Sequence, residues 1–243
     1  MNLVGNTQFW NELTQKVGPV WIGTDFLTTR EDNTWVDTIT DSGTATVGDT
    51  VNGVLTLTPS DCTVGDNDEA YIGSPIELFR FGTNRSIYGC WKFRYTAVVA
   101  ADPNVAVWFM NACNGANSIL DTGAGVKITG STLAIEKRDG ETVFRCTSSC
   151  NGTAVTTLTN KSIAAATDYV AEIFCNDWDG VRMEVGYKID GQWLCDINNV
   201  IIKHSVAITS STEMNLGAGI KLGAATNNDT LLLDYIYGAQ TRV

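Results

Sequence analysis

The stretch DYVAEIFCNDWDGVRMEVGYKIDGQWLCDI, from Asp168 to Ile197, sets the architecture of this chain. Two Asp-Gly pairs, Asp179-Gly180 and Asp190-Gly191, interrupt runs rich in Val, Ile, Tyr and Phe. Asp-Gly between alternating apolar runs marks a β-hairpin, because both residues tolerate the positive φ that a tight turn needs. A three-residue loop with Gly180 left-handed opposes Ala171 to Tyr187, Ile173 to Val185 and Cys175 to Met183, whereas a two-residue turn misaligns these apolar positions. The same loop at Asp190-Gly191 opposes Tyr187 to Trp193, Val185 to Cys195 and Met183 to Ile197. One apolar face then runs through three strands. Glu172, Arg182, Glu184 and Lys188 fall on the other side and read as a solvated face. At Asp139-Gly140 a two-residue turn pairs Ile135 with Phe144, Leu133 with Cys146 and Arg138 with Glu141.

Outward from these hairpins the same texture continues. From Val20 to the end, short runs of Val, Ile, Thr, Tyr, Phe and Trp alternate with Gly, Asn, Asp and Ser clusters, with no fixed repeat and no linker. The expected architecture is an all-β, antiparallel two-sheet β-sandwich over residues 19–243. Residues 1–18 differ. Phe9, Trp10, Leu13 and Val17 recur at spacings near three and four behind Asn6 or Thr7, and Gly18-Pro19 ends the pattern. This predicts a short N-terminal helix, either packed on its own sandwich or serving as an arm that docks on a neighbouring subunit.

Sixteen Lys and Arg against 27 Asp and Glu leave a net charge of −11, which repels phosphate backbones and anionic bilayers. Neither nucleic acid nor membrane is an expected partner. With 44% hydrophobic residues the chain can bury a substantial core. The opening Met1-Asn2-Leu3-Val4-Gly5 has no basic, then apolar, export pattern, so synthesis in a host cytoplasm is expected.

Residues able to carry chemistry are sparse. The seven cysteines form an odd set without paired CxxC spacing. Cys175 and Cys195 share a face but sit too far apart to bridge. Cys146 and Cys150 are the one pair close in sequence, and both read as thiols. His204 is the sole imidazole and reads as a surface or strand-end residue; no GxSxG, GxGxxG or GxxxxGK[ST] accompanies it. No carboxylate pair shows the same-face spacing of a sandwich glycosidase, and Asp177 and Asp179 flank a turn glycine where Asp is expected anyway. Asp61, Asp66, Asp68 and Glu69 could offer oxygens to calcium, but their spacing is no EF-hand and a solvated loop is the simpler reading. No catalytic set, metal site or cofactor is therefore expected. Among the aromatics, Trp35 is a possible sugar-stacking group, and Trp91, Trp108 and Trp193 lie in apolar strands and read as core. Trp178 occupies a hairpin tip, as a cap over the sheet edge or as a partner contact.

The runs Val20-Trp21-Ile22-Gly23-Thr24-Asp25-Phe26, Trp91-Lys92-Phe93-Arg94-Tyr95, Val105-Ala106-Val107-Trp108-Phe109 and Asp168-Tyr169-Val170-Ala171-Glu172-Ile173 resemble strands of concanavalin A-like and laminin-G-like jelly rolls. Leu231-Leu232-Leu233-Asp234-Tyr235-Ile236-Tyr237 resembles their closing strand, which returns beside the first. Lectin metal-ligand strings and the ExDxxE strand of sandwich glucanases are absent. As a whole the chain is similar to virion structural proteins of tailed bacteriophages. That resemblance implies a non-enzymatic decoration or cement protein on the capsid surface, binding the major capsid protein and copies of itself. Phe9, Trp10, Leu13, Val17 and Trp178 would be its contacts. The alternatives are a carbohydrate-binding, lectin-like module or tail-appendage domain, with weak glycan binding, and third a glycoside hydrolase.

Overall fold

In the computed structural model, residues 20–26, 35–40, 43–48, 53–60, 68–111, 120–121, 125–126, 130–151, 153–177, 179–208, 211–223 and 228–241 are described. In chain order the strands are β1 (Val20–Thr24), β2 (Val36–Ile39), β3 (Thr44–Gly48), β4 (Val54–Thr58), β5 (Glu69–Gly73), β6 (Ser86–Thr96), β7 (Asn104–Met110), β8 (Leu120–Asp121) and β9 (Gly125–Val126). They continue with β10 (Thr132–Lys137), β11 (Val143–Cys150), β12 (Thr153–Ser162), β13 (Tyr169–Asp177), β14 (Arg182–Ile189), β15 (Gln192–Trp193), β16 (Lys203–Ala207), β17 (Asn215–Lys221) and β18 (Thr230–Gln240). The larger sheet has nine strands in the order β15-β14-β13-β6-β18-β4-β3, with β1 on β18 and β16 on β14. The smaller has seven, β12-β11-β10-β7-β17-β5-β2, and β8 and β9 form a separate pair. The pairings of β1 with β18, β6 with β13 and β7 with β17 are all antiparallel. The predicted two-sheet sandwich is the fold found. Among the described residues there is no helix, and the predicted helix over residues 1–18, with Phe9, Trp10, Leu13 and Val17, lies outside them.

Hairpin positions match the Asp-Gly expectations, but their registers do not. Ile173 opposes Tyr187 and Cys175 opposes Val185, displaced by two residues from the expected pairs. The loop is wider because aspartate oxygens take over amides the ladder would have used. Asp177 accepts from the Asn84 and Gly180 amides at 2.6 and 2.7 Å, and Asp179 from Val181 and Arg182 at 2.9 and 2.7 Å. At Asp139-Gly140 the turn forms, with the Glu141 amide on the Arg138 carbonyl at 3.0 Å. The ladder beyond it nonetheless pairs Ile135 with Cys146. An even displacement keeps every side chain on its face.

At Asp190-Gly191 the displacement is odd. Asp190 and Gly191 both have positive φ, 53° and 76°, the signature of a two-residue type I′ turn, and Lys188 opposes Trp193. Trp193 is thereby turned out of the core and is 44% exposed, correcting its assignment as a core residue.

Alternation along the strands buries one face of each sheet against the other. Leu55, Trp91, Phe93, Phe109, Ile135 and Leu216 belong to this core. β18 serves it with two phases: a bulge between Leu233 and Tyr235 lets Leu231 and Leu233 point inward before it and Ile236 after it. Trp91 is fully buried and its indole N–H donates to the Gly217 carbonyl at 3.1 Å. Trp35 is also buried in this core, not presented for stacking. Cys146 and Cys150 lie on one extended strand, roughly 13 Å apart at about 3.3 Å per residue, beyond disulfide reach. Cys90, Cys146, Cys150, Cys175 and Cys195 are thiols, none of them in a disulfide.

Candidate functional site

The outer face of the larger sheet carries an aromatic band. β1, β18, β6 and β13 are neighbours, and their register sets Trp21 beside Ala239, Ala239 beside Tyr88 and Tyr88 beside Phe174. Phe174 faces Gly186 on β14, and Trp193 lies over that glycine, where a Cβ would come within 2.6 Å of its ring. One step along, Tyr237 pairs with Cys90 and covers Gly23. Ring centroids are 5.0 Å apart for Tyr88 and Phe174, 5.6 Å for Phe174 and Trp193, and 5.4 Å for Tyr235 and Tyr237. A cavity of about 310 Å³ opens on this band, lined by Trp21, Ile22, Tyr88, Cys90, Tyr237, Gly238 and Ala239. Tyr88, Cys90 and Ala239 form a buried floor, while Trp21 is 71% exposed.

Polar groups are few and held in place. The Tyr88 hydroxyl donates to Glu172 at 2.8 Å. Glu172 is buried, not solvated as its alternation suggested, with Cys90 and Lys188 on the strands to either side of it. Lys188 Nζ sits 4.7 Å from the Phe174 ring centre and 4.5 Å from that of Trp193, a cation on two π faces. Burial raises the Tyr88 and Tyr235 hydroxyls well above the usual phenol range, and it pushes the Cys90 thiol up to about 11. At neutral pH these groups are protonated. The site offers apolar faces and hydroxyl groups for hydrogen bonding; its thiol has no nucleophilic character.

The outer face of the smaller sheet is different. Trp108 lies over Gly217 and Gly219 with Tyr71 edge-on at 6.0 Å, in a second cluster apart from the inter-sheet core. It is buried as expected, but on the far side of its sheet. Tyr71 Oη, Trp108 Nε1, Thr132 Oγ1 and Asn215 Oδ1 are buried without protein partners and are places for ordered water. Glu136 and Glu69 share this face. Glu136 accepts from Arg138 at 2.9 Å and Thr147 at 2.8 Å, and Glu69 lies 3.5 Å from Lys221. They stand on β10 and β5, with β7 and β17 between. Three strand spacings put their backbones about 14 Å apart, against roughly 5 to 9.5 Å between paired glycosidase carboxyl groups. Asp68 and Glu69 are buried, correcting the solvated-loop expectation; Asp61 and Asp66 lie outside the described residues.

His204 is also buried, 3% exposed, and not a surface residue. Its Nδ1 lies 2.8 Å from Ser148 Oγ and 3.2 Å from Tyr187 Oη, and its Nε2 3.0 Å from Thr157 Oγ1. Burial lowers its pKa to about 4. The arrangement is a neutral hydrogen-bonded strut between the two sheets; among the described residues no carboxylate orients it for catalysis. Trp178 lies outside the described residues, as do Phe9, Trp10, Leu13 and Val17. Sequence reasoning missed Trp21 and the Tyr88, Phe174, Tyr235 and Tyr237 rings. The available signal was alternation with core positions: Val170 and Phe174 are apolar on the face assigned to solvent, and Tyr235 and Tyr237 pack in the same cluster.

No family model matches the chain, and no curated protein sequence does. Solved structures do match in shape. The potassium-bound carbohydrate recognition domain of Emp46p is 14% identical, with 88% of this chain and 94% of that one covered and a TM-score of 0.57. Arcelin-5, a lectin-like defense protein from Phaseolus vulgaris, is 11% identical, covering 92% and 99%, TM-score 0.56. An endo-1,3-beta-glucanase from Streptomyces sioyaensis is 12% identical, covering 93% and 98%, TM-score 0.57. At such identities the likeness is one of fold, the concanavalin A-like jelly roll. None of the three is a virion protein.

Proposed function

We propose that this protein is a non-enzymatic glycan-binding module that takes a neutral oligosaccharide on the aromatic band of its larger sheet. The carrying observation is Trp21, 71% exposed at the rim of an aromatic-lined cavity of about 310 Å³. An exposed indole beside Tyr237 suits the apolar faces of sugar rings, and the cavity reaches the lower end of ligand-pocket sizes, roughly 300 to 1,000 Å³. A net charge of −11 disfavours acidic glycans. A carbohydrate recognition domain and a lectin-like protein of the same fold lend support. The separation of Glu69 and Glu136 and their ion-pair partners argue against hydrolysis. Titration calorimetry against neutral and acidic oligosaccharides should find neutral binders, and Trp21→Ala should weaken them roughly tenfold with an unchanged circular dichroism spectrum, as expected for losing a stacked ring. Binding indifferent to that substitution, or new reducing ends that disappear in Glu136→Gln, would sink the proposal.

A second function, the capsid cement implied by the resemblance, is supported by Ile197, Val200 and Ile201, which are 73, 61 and 46% exposed on one hairpin. Its discriminating measurement is co-sedimentation with purified capsids, before and after deletion of residues 1–18.

A further inference from the structure

A sheet edge exposes unpaired amides and carbonyls, and chains usually blunt it with charge, proline or brevity. Here β15 has two residues, β2 has four including Asp37, and β16 carries Lys203. The one charge on β12, Lys161, stands at its far end, and the rest of the strand has no such protection. β12 closes the smaller sheet with ten residues, and from 153 to 160 it contains no charged residue, proline or glycine. Ala154, Val155 and Thr156 are exposed. Among the described residues, cover is found over the far part of the strand: the Asn160 amide donates to the Cys195 carbonyl at 2.9 Å, and Thr159 bridges Asp196. The covering hairpin, residues 195–201, is fixed by Asp196, whose Oδ1 accepts from the Asn198 and Val200 amides, each at 2.9 Å. It presents Ile197, Val200 and Ile201 outward beside the open edge.

We propose that β12 pairs antiparallel with β12 of a second copy, joining two smaller sheets into one. Charge selects this occupant. At −11 per chain two copies repel over most of their surfaces, yet along this strand no like charges meet. Antiparallel pairing of identical strands is self-complementary about a two-fold axis normal to the sheet, and it carries an apolar hairpin to each side of the seam. The axis also turns both aromatic bands to the same side of the dimer, so a multivalent ligand would be held by two sites at once. The dimer itself does not depend on glycan binding.

Sedimentation velocity of the full chain at micromolar concentrations should give twice the monomer mass. Thr156→Lys, on an exposed position, should give folded monomer with an unchanged circular dichroism spectrum, while Trp21→Ala should remain dimeric. A wild type that stays monomeric overturns the proposal, including one that sediments with capsids instead. So does a dimer that survives Thr156→Lys, or one lost in Trp21→Ala, because its contact would then lie elsewhere.

Discussion

His204 ties stability to pH in a direction set by its surroundings. Ser148, Tyr187 and Thr157 accommodate a neutral ring, and burial holds its pKa at about 4, below the ordinary value near 6.5. The unfolded chain therefore binds the extra proton first as pH falls. The stabilisation is complete above about pH 6.5 and is lost progressively down to about pH 4, amounting to roughly 3 kcal/mol if the whole shift is expressed. Urea titrations at pH 7.5 and 4.5 should show this loss, and His204→Gln should flatten it. The sequence revealed that one imidazole existed and that no nucleophile motif accompanied it. It did not reveal burial, because Lys203 and Ser205 on either side are exposed and make the strand look solvated.

At the scale of the hairpin, Asp-Gly located the turns but not their lengths. β13 bears apolar side chains on both faces, Ile173 and Cys175 inward and Val170 and Phe174 outward, so a period of two gives no preferred phase. A loop length that maximises one apolar face puts Trp193 on the wrong side at Asp190-Gly191. The observed turn makes its own prediction. Gly191 sits at φ 76° with nothing within 4 Å of the point a Cβ would occupy, so Gly191→Val meets backbone strain without a clash. Its expected cost is about 1 to 2 kcal/mol, read as a lower melting temperature, while Gln192→Val should not show that loss. The Asn151-Gly152 pair, which joins β11 to β12 with Cys150 opposite Thr153, is an equally clear hairpin signal in retrospect.

For the whole molecule, the sandwich was legible because strand composition and turn residues agree over two hundred residues, a redundancy that register errors do not disturb. The candidate site had no such redundancy. It gathers Trp21, Tyr88, Phe174, Trp193 and Tyr237 from five strands, and only the order of strands in the larger sheet makes them neighbours. The pairing of β1 with β18 does more than complete that sheet. Val20 lies opposite Gln240, so the start of β1 and the end of β18 lie side by side. Tension applied between them acts across the strands and opens backbone pairs one after another, beginning at Val20 and Gln240, instead of shearing them all together. Single-molecule pulling through these ends should find a weak, stepwise peeling of β1 that exposes the floor beneath Trp21 while the rest of the sandwich holds. A ligand seated there would then let go under load before the body of the protein yields.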